Sequence, residues 1–222
     1  EDVFRVDLGT LLWNLVRWGT QLVSGGGSTV RTRGLVDTEP LRAYLTRALK
    51  AEAGSIDGIA RSLEAGRLRA IALSTSSYTT GQSVTWVQGS DITEWQRPLR
   101  TSRKDELTVD HVMASAALPI FFPAVELEGA WYGDGGMRLA APLSPALHLG
   151  ASRVLAISTR YGKTAAEEED PQVRGYPPPA QIVGVLMNSI FLDLLDHDAL
   201  RLERLNTLVE KLPREEREGL RP

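Results

Sequence analysis

Residues 111–158 read HVMASAALPIFFPAVELEGAWYGDGGMRLAAPLSPALHLGASRVLAIS. Their first part predicts a helix over about 107–117, stopped by Pro119. Its end, Ala114-Ser115-Ala116-Ala117, carries only small side chains, which let two backbones come close. Pro119 and Pro123 set the exit path of the chain, and Phe121 and Phe122 are suited to bury it. Short strands are expected at 124–127 and 130–132, turning at Glu128-Gly129. This hairpin delivers the chain to Gly133-Asp134-Gly135-Gly136. Glycines on both sides free the backbone for a tight turn and leave the Asp134 carboxylate open to a neighbour. A carboxylate presented in this way accepts a proton from a serine hydroxyl and so activates it. Taken alone, Asp-Gly-Gly is also an ordinary turn; the surrounding pattern separates the two readings. Beyond it, Pro142 to His148 reads as a short helix ending at Gly150, and Arg153 to Ser158 as an apolar run typical of a buried parallel strand.

Working outward, Asp37-Thr38-Glu39-Pro40 is a helix start, with a capping residue and proline in the first turn. The helix continues through Leu41, Tyr44, Leu45 and Leu49. Ser55 is expected to cap a second helix ending near Gly66. The period then changes to that of strands. Leu68–Thr75 and Ser83–Val87 read as a strand and its return, turning at Thr79-Thr80-Gly81. Residues 88–104 read as polar and irregular. Residues 6–23 form an amphipathic helical pattern in which Trp13 and Trp18 are either core or lipid-facing, with core preferred. Residues 24–28, including Gly25-Gly26-Gly27, read as a flexible loop, and 180–211 as two helical stretches. Alternating strands and helices give the class α/β. The expected organisation is an α/β domain over 1–160, a loop over 161–178 and a helical extension over 179–222.

Composition narrows the function. The chain has 222 residues, 42% of them hydrophobic, which suits a real core. A net charge of −3, with acids and bases interspersed, gives no pull toward nucleic acid. The acidic cluster from Glu167 to Asp170 reads as a solvated loop. Without cysteine there are no disulfides, thiolate nucleophiles or cysteine-ligated metals. No apolar run approaches the roughly 20 residues of a membrane-spanning helix.

The candidate nucleophiles and ligands are few. Gly-x-Ser-x-Gly does not occur in these residues. Ser74, Ser76 and Ser77 end a strand without flanking glycines and read as polar strand-end residues. His111, His148 and His197 all fall in predicted helices, with no second histidine at ligand spacing, and read as structural. Asp196, His197 and Asp198 point about 100° apart on a helix and make no common ligand face. No metal site and no cofactor are expected.

The set Ala114-Ser115-Ala116-Ala117-x-Pro119, Phe122-Pro123, Tyr132-x-Asp134-Gly135-Gly136, Pro142 and Gly150-Ala151 resembles the second half of patatin-like phospholipases. Asp37-Thr38-x-Pro40-Leu41-Arg42 and Thr80-Gly81 resemble the same family, and Pro179 through Asn206 is similar to its bacterial members. The resemblance implies a three-layer α/β/α sandwich and a serine-type lipid acyl hydrolase with a Ser-Asp dyad. By that match Asp134 is the catalytic carboxylate, with Gly135 and Gly136 supporting its motif. The family's serine elbow and oxyanion loop are not found here, so the sandwich is expected to be incomplete, with its opening strands and nucleophile upstream. The implied partner is a lipid or acyl-ester substrate. Peripheral membrane contact is left open by Trp13 and Trp18, and with no signal-peptide pattern or spanning run in these residues a cytoplasmic or membrane-peripheral location is expected. The alternative is a scaffold that has lost catalysis and binds a lipid surface or a protein. An upstream segment is the preferred reading, because a sheet lacking its opening strands would expose a long unpaired edge.

Overall fold

The computed structural model describes residues 34–138, 141–157, 176–191, 193–213 and 216–217, together with Gly9, Trp13 and Val16. The chain divides into two compact units, Glu1–Arg138 and Leu139–Pro222, each described by itself.

The first unit opens with α1 (Glu39–Ala48) and α2 (Asp57–Glu64). Pro40 pre-shapes the first turn of α1, and the Glu39 N–H donates to Asp37 Oδ1 at 3.0 Å. Leu41, Leu45 and Leu49 recur every four residues and pack on the core from one face. Ser55 does not cap α2. Ile56 occupies that position, while the Ser55 hydroxyl donates to the Glu106 carboxylate and its backbone bridges Glu52 and Thr108. A hydroxyl committed to a partner distant in sequence is not free to cap its own helix.

The strands β1 (Ala70–Ser77), β2 (Ser83–Gly89), β3 (Gln96–Arg97), β4 (Arg100–Lys104), β5 (Val125–Leu127) and β6 (Ala130–Asp134) form one six-stranded sheet, ordered β3-β4-β2-β1-β6-β5. The pairing is mixed: β2 and β4 are parallel, and the remaining neighbours are antiparallel. Residues 88–104 are therefore not wholly irregular, since they contain β3 and β4. These strands lie at one end of the sheet, where β4 pairs with β2 and β3 with β4, and charged side chains face water, so they carry no apolar alternation. Between β4 and β5 lies α3 (Val109–Ser115), which ends four residues before Pro119.

Helices α1–α3 cover one face of this sheet. Ile56, Ile59, Leu107, Val109, Met113 and Ala114 meet Val84, Trp86, Leu127 and Tyr132 there. This is a mixed sheet with flanking helices, the α/β class expected; further strands of a complete sandwich are not among the described residues. Trp86 is fully buried at the centre of the layer. Its Nε1–H donates to Thr75 Oγ1 at 2.9 Å, and its ring stands edge-on to Tyr132, with centroids 5.4 Å apart.

In the second unit, α4 (Ser144–His148) ends before Gly150, whose φ of +84° suits glycine. Helices α5 (Pro179–Phe191) and α6 (Asp193–Glu210) match the two helical stretches expected. The Leu143 N–H donates to the buried Asp198 carboxylate at 3.0 Å, so that acid serves the backbone. The strand expected at Arg153–Ser158 is not formed over 153–157, where Leu155 is 86% exposed; Ser158 lies outside the described residues. An apolar run becomes a buried strand only where a sheet edge accepts it.

Gly9, Trp13 and Val16 are helical, but Trp13 is 63% exposed, which corrects the preference for a core position. Trp18, the glycine triplet at 25–27, the acidic cluster at 167–170 and most of residues 6–23 lie outside the described residues. Among the described residues no helix is long and apolar enough to cross a membrane.

Replacing Trp86 by Phe removes the donor to a buried hydroxyl and part of the ring volume. The expected loss is about 1–3 kcal/mol in urea unfolding, with an unchanged dependence on denaturant.

Candidate functional site

Asp134 is the last residue of β6, and β6 is short. It pairs with β1 only at Thr75–Asp134, Ser76–Gly133 and Ser77–Tyr132. Beyond that point the chain turns away through a 3₁₀ turn at Gly135–Met137. Among the described residues no strand pairs with the Ala70–Ser74 half of β1 on its β6 side. Asp134 therefore stands at an inner corner of the sheet, where one strand ends partway along another.

Two hydrogen bonds hold it there. The Asp134 N–H donates to the Ala117 carbonyl at 2.9 Å, just past the end of α3. Its carboxylate Oδ1 accepts the Gly136 N–H at 2.7 Å, capping the 3₁₀ turn. Strand alternation puts its side chain on the helical face, with Thr75 and Tyr132. Gly133 and Gly135 face the other way. A Cβ on Gly135 would lie 2.2 Å from the Ser74 carbonyl oxygen and 2.6 Å from its carbon. Those are backbone atoms in a paired strand, so no side chain fits unless β6 moves. At Gly133 the obstacle would be the Tyr78 hydroxyl, 2.3 Å away at the end of a side chain that can swing aside.

Burial pushes the Asp134 carboxyl above the ordinary aspartate range, partly offset by the Gly136 N–H that stabilises its charge. The Tyr78 phenol is also raised, first by burial and then by the negative charge of Asp134. A carboxylate of raised proton affinity, still partly open to solvent, is a better base than a free aspartate.

The other candidates are placed elsewhere. Ser77 Oγ accepts the Thr80 N–H at 3.1 Å and shapes the β1–β2 turn. Ser74 Oγ lies 3.4 Å from Thr85 Oγ1. Ser76 Oγ is buried without a hydrogen-bond partner among the described residues. His148 lies in α4 and His197 is exposed on α6. His111, in α3, accepts from the Thr108 backbone through Nδ1. Among the described residues no group of acids and histidines is arranged to hold a metal ion. The pairing of Asp134 with Thr75, and the latter's bond to Trp86, had no local signature. The Thr108-x-x-His111 spacing did have one, that of a capping box with imidazole in place of Glu or Gln.

The structure is thus an α/β sheet with helices on one face and a glycine-flanked aspartate at its inner corner. A family profile described as patatin-like phospholipase matches residues 2–147. That match covers more than half of the chain, and the chain belongs to the patatin-like phospholipase family. Comparison with curated proteins and with solved structures gives no match.

The raised Asp134 pKa has a signed consequence for stability. The folded chain holds its proton to higher pH than the unfolded chain, whose value is near 3.8. Asp134 therefore costs nothing below that value, and its cost grows as pH rises through the folded pKa. Asp134→Asn should unfold at a higher urea concentration than the parent at neutral pH, and the difference should vanish at low pH.

Proposed function

We propose that this chain supplies the general base of a lipid acyl hydrolase with a Ser-Asp dyad, and that Asp134 is that base. The observation that carries the reading is its placement: a partly buried carboxylate of raised proton affinity at the end of β6, beside a flank of β1 that has no strand partner among the described residues. Membership of a family of lipid acyl hydrolases supports the same reaction. No Gly-x-Ser-x-Gly occurs in these 222 residues, so the proposed serine belongs to another segment of the polypeptide. A strand docking along Ala70–Ser74 would bring such an elbow toward Asp134.

In the proposed cycle the serine oxygen attacks the ester carbonyl as Asp134 takes its proton. The tetrahedral intermediate collapses, the leaving alcohol receives that proton from Asp134, and an acyl-enzyme remains. Water then attacks the acyl carbon, giving up a proton to Asp134. Collapse returns the proton to the serine oxygen and releases the fatty acid. Asp134→Asn in the full-length polypeptide should lower hydrolysis of a p-nitrophenyl ester by about 10²-fold or more. Equal rates reject the assignment.

The second reading, a scaffold without catalysis that binds a lipid surface or a protein, is favoured by the missing elbow motif. It takes over if the full-length polypeptide also lacks that motif and hydrolyses no ester. Peripheral lipid contact belongs to both readings and is supported by the exposed Trp13. Trp13→Ser should weaken co-sedimentation with phosphatidylglycerol vesicles; a folded variant that sediments unchanged removes Trp13 from the contact.

A further inference from the structure

His111 is built into the start of α3 in an unusual way. Thr108, the N-cap residue, accepts the His111 N–H through its side chain, while His111 Nδ1 accepts the Thr108 N–H at 3.2 Å. Glu or Gln normally makes that return bond. Nδ1 also lies 3.0 Å from Thr108 Oγ1. A backbone N–H only donates, so the bond from the Thr108 amide requires Nδ1 unprotonated and the ring proton on Nε2; the hydroxyl, which can donate or accept, fits that tautomer as a second donor. His111 is only 4% exposed, and its ring stands edge-on to Trp86, with centroids 4.8 Å apart. Nε2 lies 3.3 Å from Asp105 Oδ2, but without the alignment of a hydrogen bond. The other charges facing the ring are Asp110 on α3, held by Arg42, and Glu128 at the β5–β6 turn. Glu128 is paired at 2.9 Å with Arg103, whose guanidinium lies 5.8 Å from the Trp86 ring centroid.

The far end of this short helix reaches the candidate base. Ala117, just beyond α3, accepts the Asp134 N–H. Five residues separate the imidazole that ties down the start of α3 from the carbonyl that holds Asp134.

We propose that neutral His111 is a latch on α3, and that protonation of Nδ1 opens it and loosens the Ala117 hold on Asp134. Protonated, Nδ1 would turn a donor toward the Thr108 N–H, so the return bond of the capping box is lost; the new N–H has the Thr108 hydroxyl oxygen to donate to, which already accepts the His111 backbone N–H, so the exchange leaves the Thr108 amide without its acceptor. His111 is thus a positioning residue; its effect on catalysis rests on the hydrolase reading, but the latch itself does not. Burial lowers the proton affinity of the ring, against Asp105, Asp110 and Glu128, which raise it. The unfolded chain therefore binds this proton more readily than the folded chain. The latch contribution is complete above the ordinary histidine value and is lost as pH falls through the folded one.

The test is amide hydrogen exchange on the full-length polypeptide, corrected for intrinsic rates, between about pH 7.5 and pH 5. Segment 108–118 and the Asp134 amide should lose protection together on acidification. His111→Gln, which keeps an acceptor that does not titrate, should hold protection flat across that range. Equal pH dependence in both proteins, or no loss in the parent, overturns the latch. Should the Gln variant fail to fold, NMR of the parent decides: the Thr108 amide must titrate with the His111 ring, and independent curves overturn the proposal. In ester hydrolysis the acid limb of kcat/KM should lose one ionisation in His111→Gln, with KM unchanged. If Asp134→Asn hydrolyses ester normally, the hydrolase reading fails while the exchange experiment still judges the latch.

Discussion

The bare Cα of Gly135 lies against the Ser74 carbonyl, and the geometry of the site depends on that contact. It lets β6 run flush with β1 up to Asp134 and then turn away within one residue. A side chain there would push the 3₁₀ turn off the strand and carry the carboxylate with it. The Gly136 N–H is then in place to bond the carboxylate it follows. Two successive glycines thus do different things: one permits an approach and the other supplies a donor.

The corner is held from the other side by the hydrophobic layer. Trp86 ties Thr75 to the core, and Thr75 is the register partner of Asp134. Tyr132, two residues before Asp134, packs edge-on to the same indole. Helix α3 spans this layer, from His111 beside Trp86 to the carbonyl that receives the Asp134 amide. Core packing and site geometry are therefore not separable here. A change in the rings around Trp86 is transmitted to β6 through rigid backbone pairings. The raised proton affinity of Asp134 is a consequence of the same enclosure.

Much of this was legible from local pattern. The hairpin over β5 and β6, the turn between β1 and β2, the proline-led start of α1 and the glycine after α4 follow from dihedral preference and side-chain period. The segments that misled show what such pattern lacks. Residues 88–104 have no apolar alternation, yet they form strands because β2 offers β4 an edge and β4 in turn pairs with β3. Residues 153–157 have the apolar run and no such edge among the described residues. Ser55 has the chemistry of a cap, but a carboxylate from a distant part of the chain claims its hydroxyl. In each case the presence of a partner remote in sequence, or its absence among the described residues, outweighed a local preference worth about 1 kcal/mol.

By itself the sequence determined the α/β class and the hairpin that leads into the glycine-flanked turn at Asp134. Glycine, proline and short apolar periods act on backbone dihedrals within a few residues, and that information is local. Tertiary structure alone decided that the sheet is mixed, that β6 stops partway along β1, and that His111 faces Trp86 with one nitrogen spent on a backbone amide. Those features depend on which remote surfaces meet and on how much water their meeting expels. A run of residues does not encode that until the rest of the chain has packed around it.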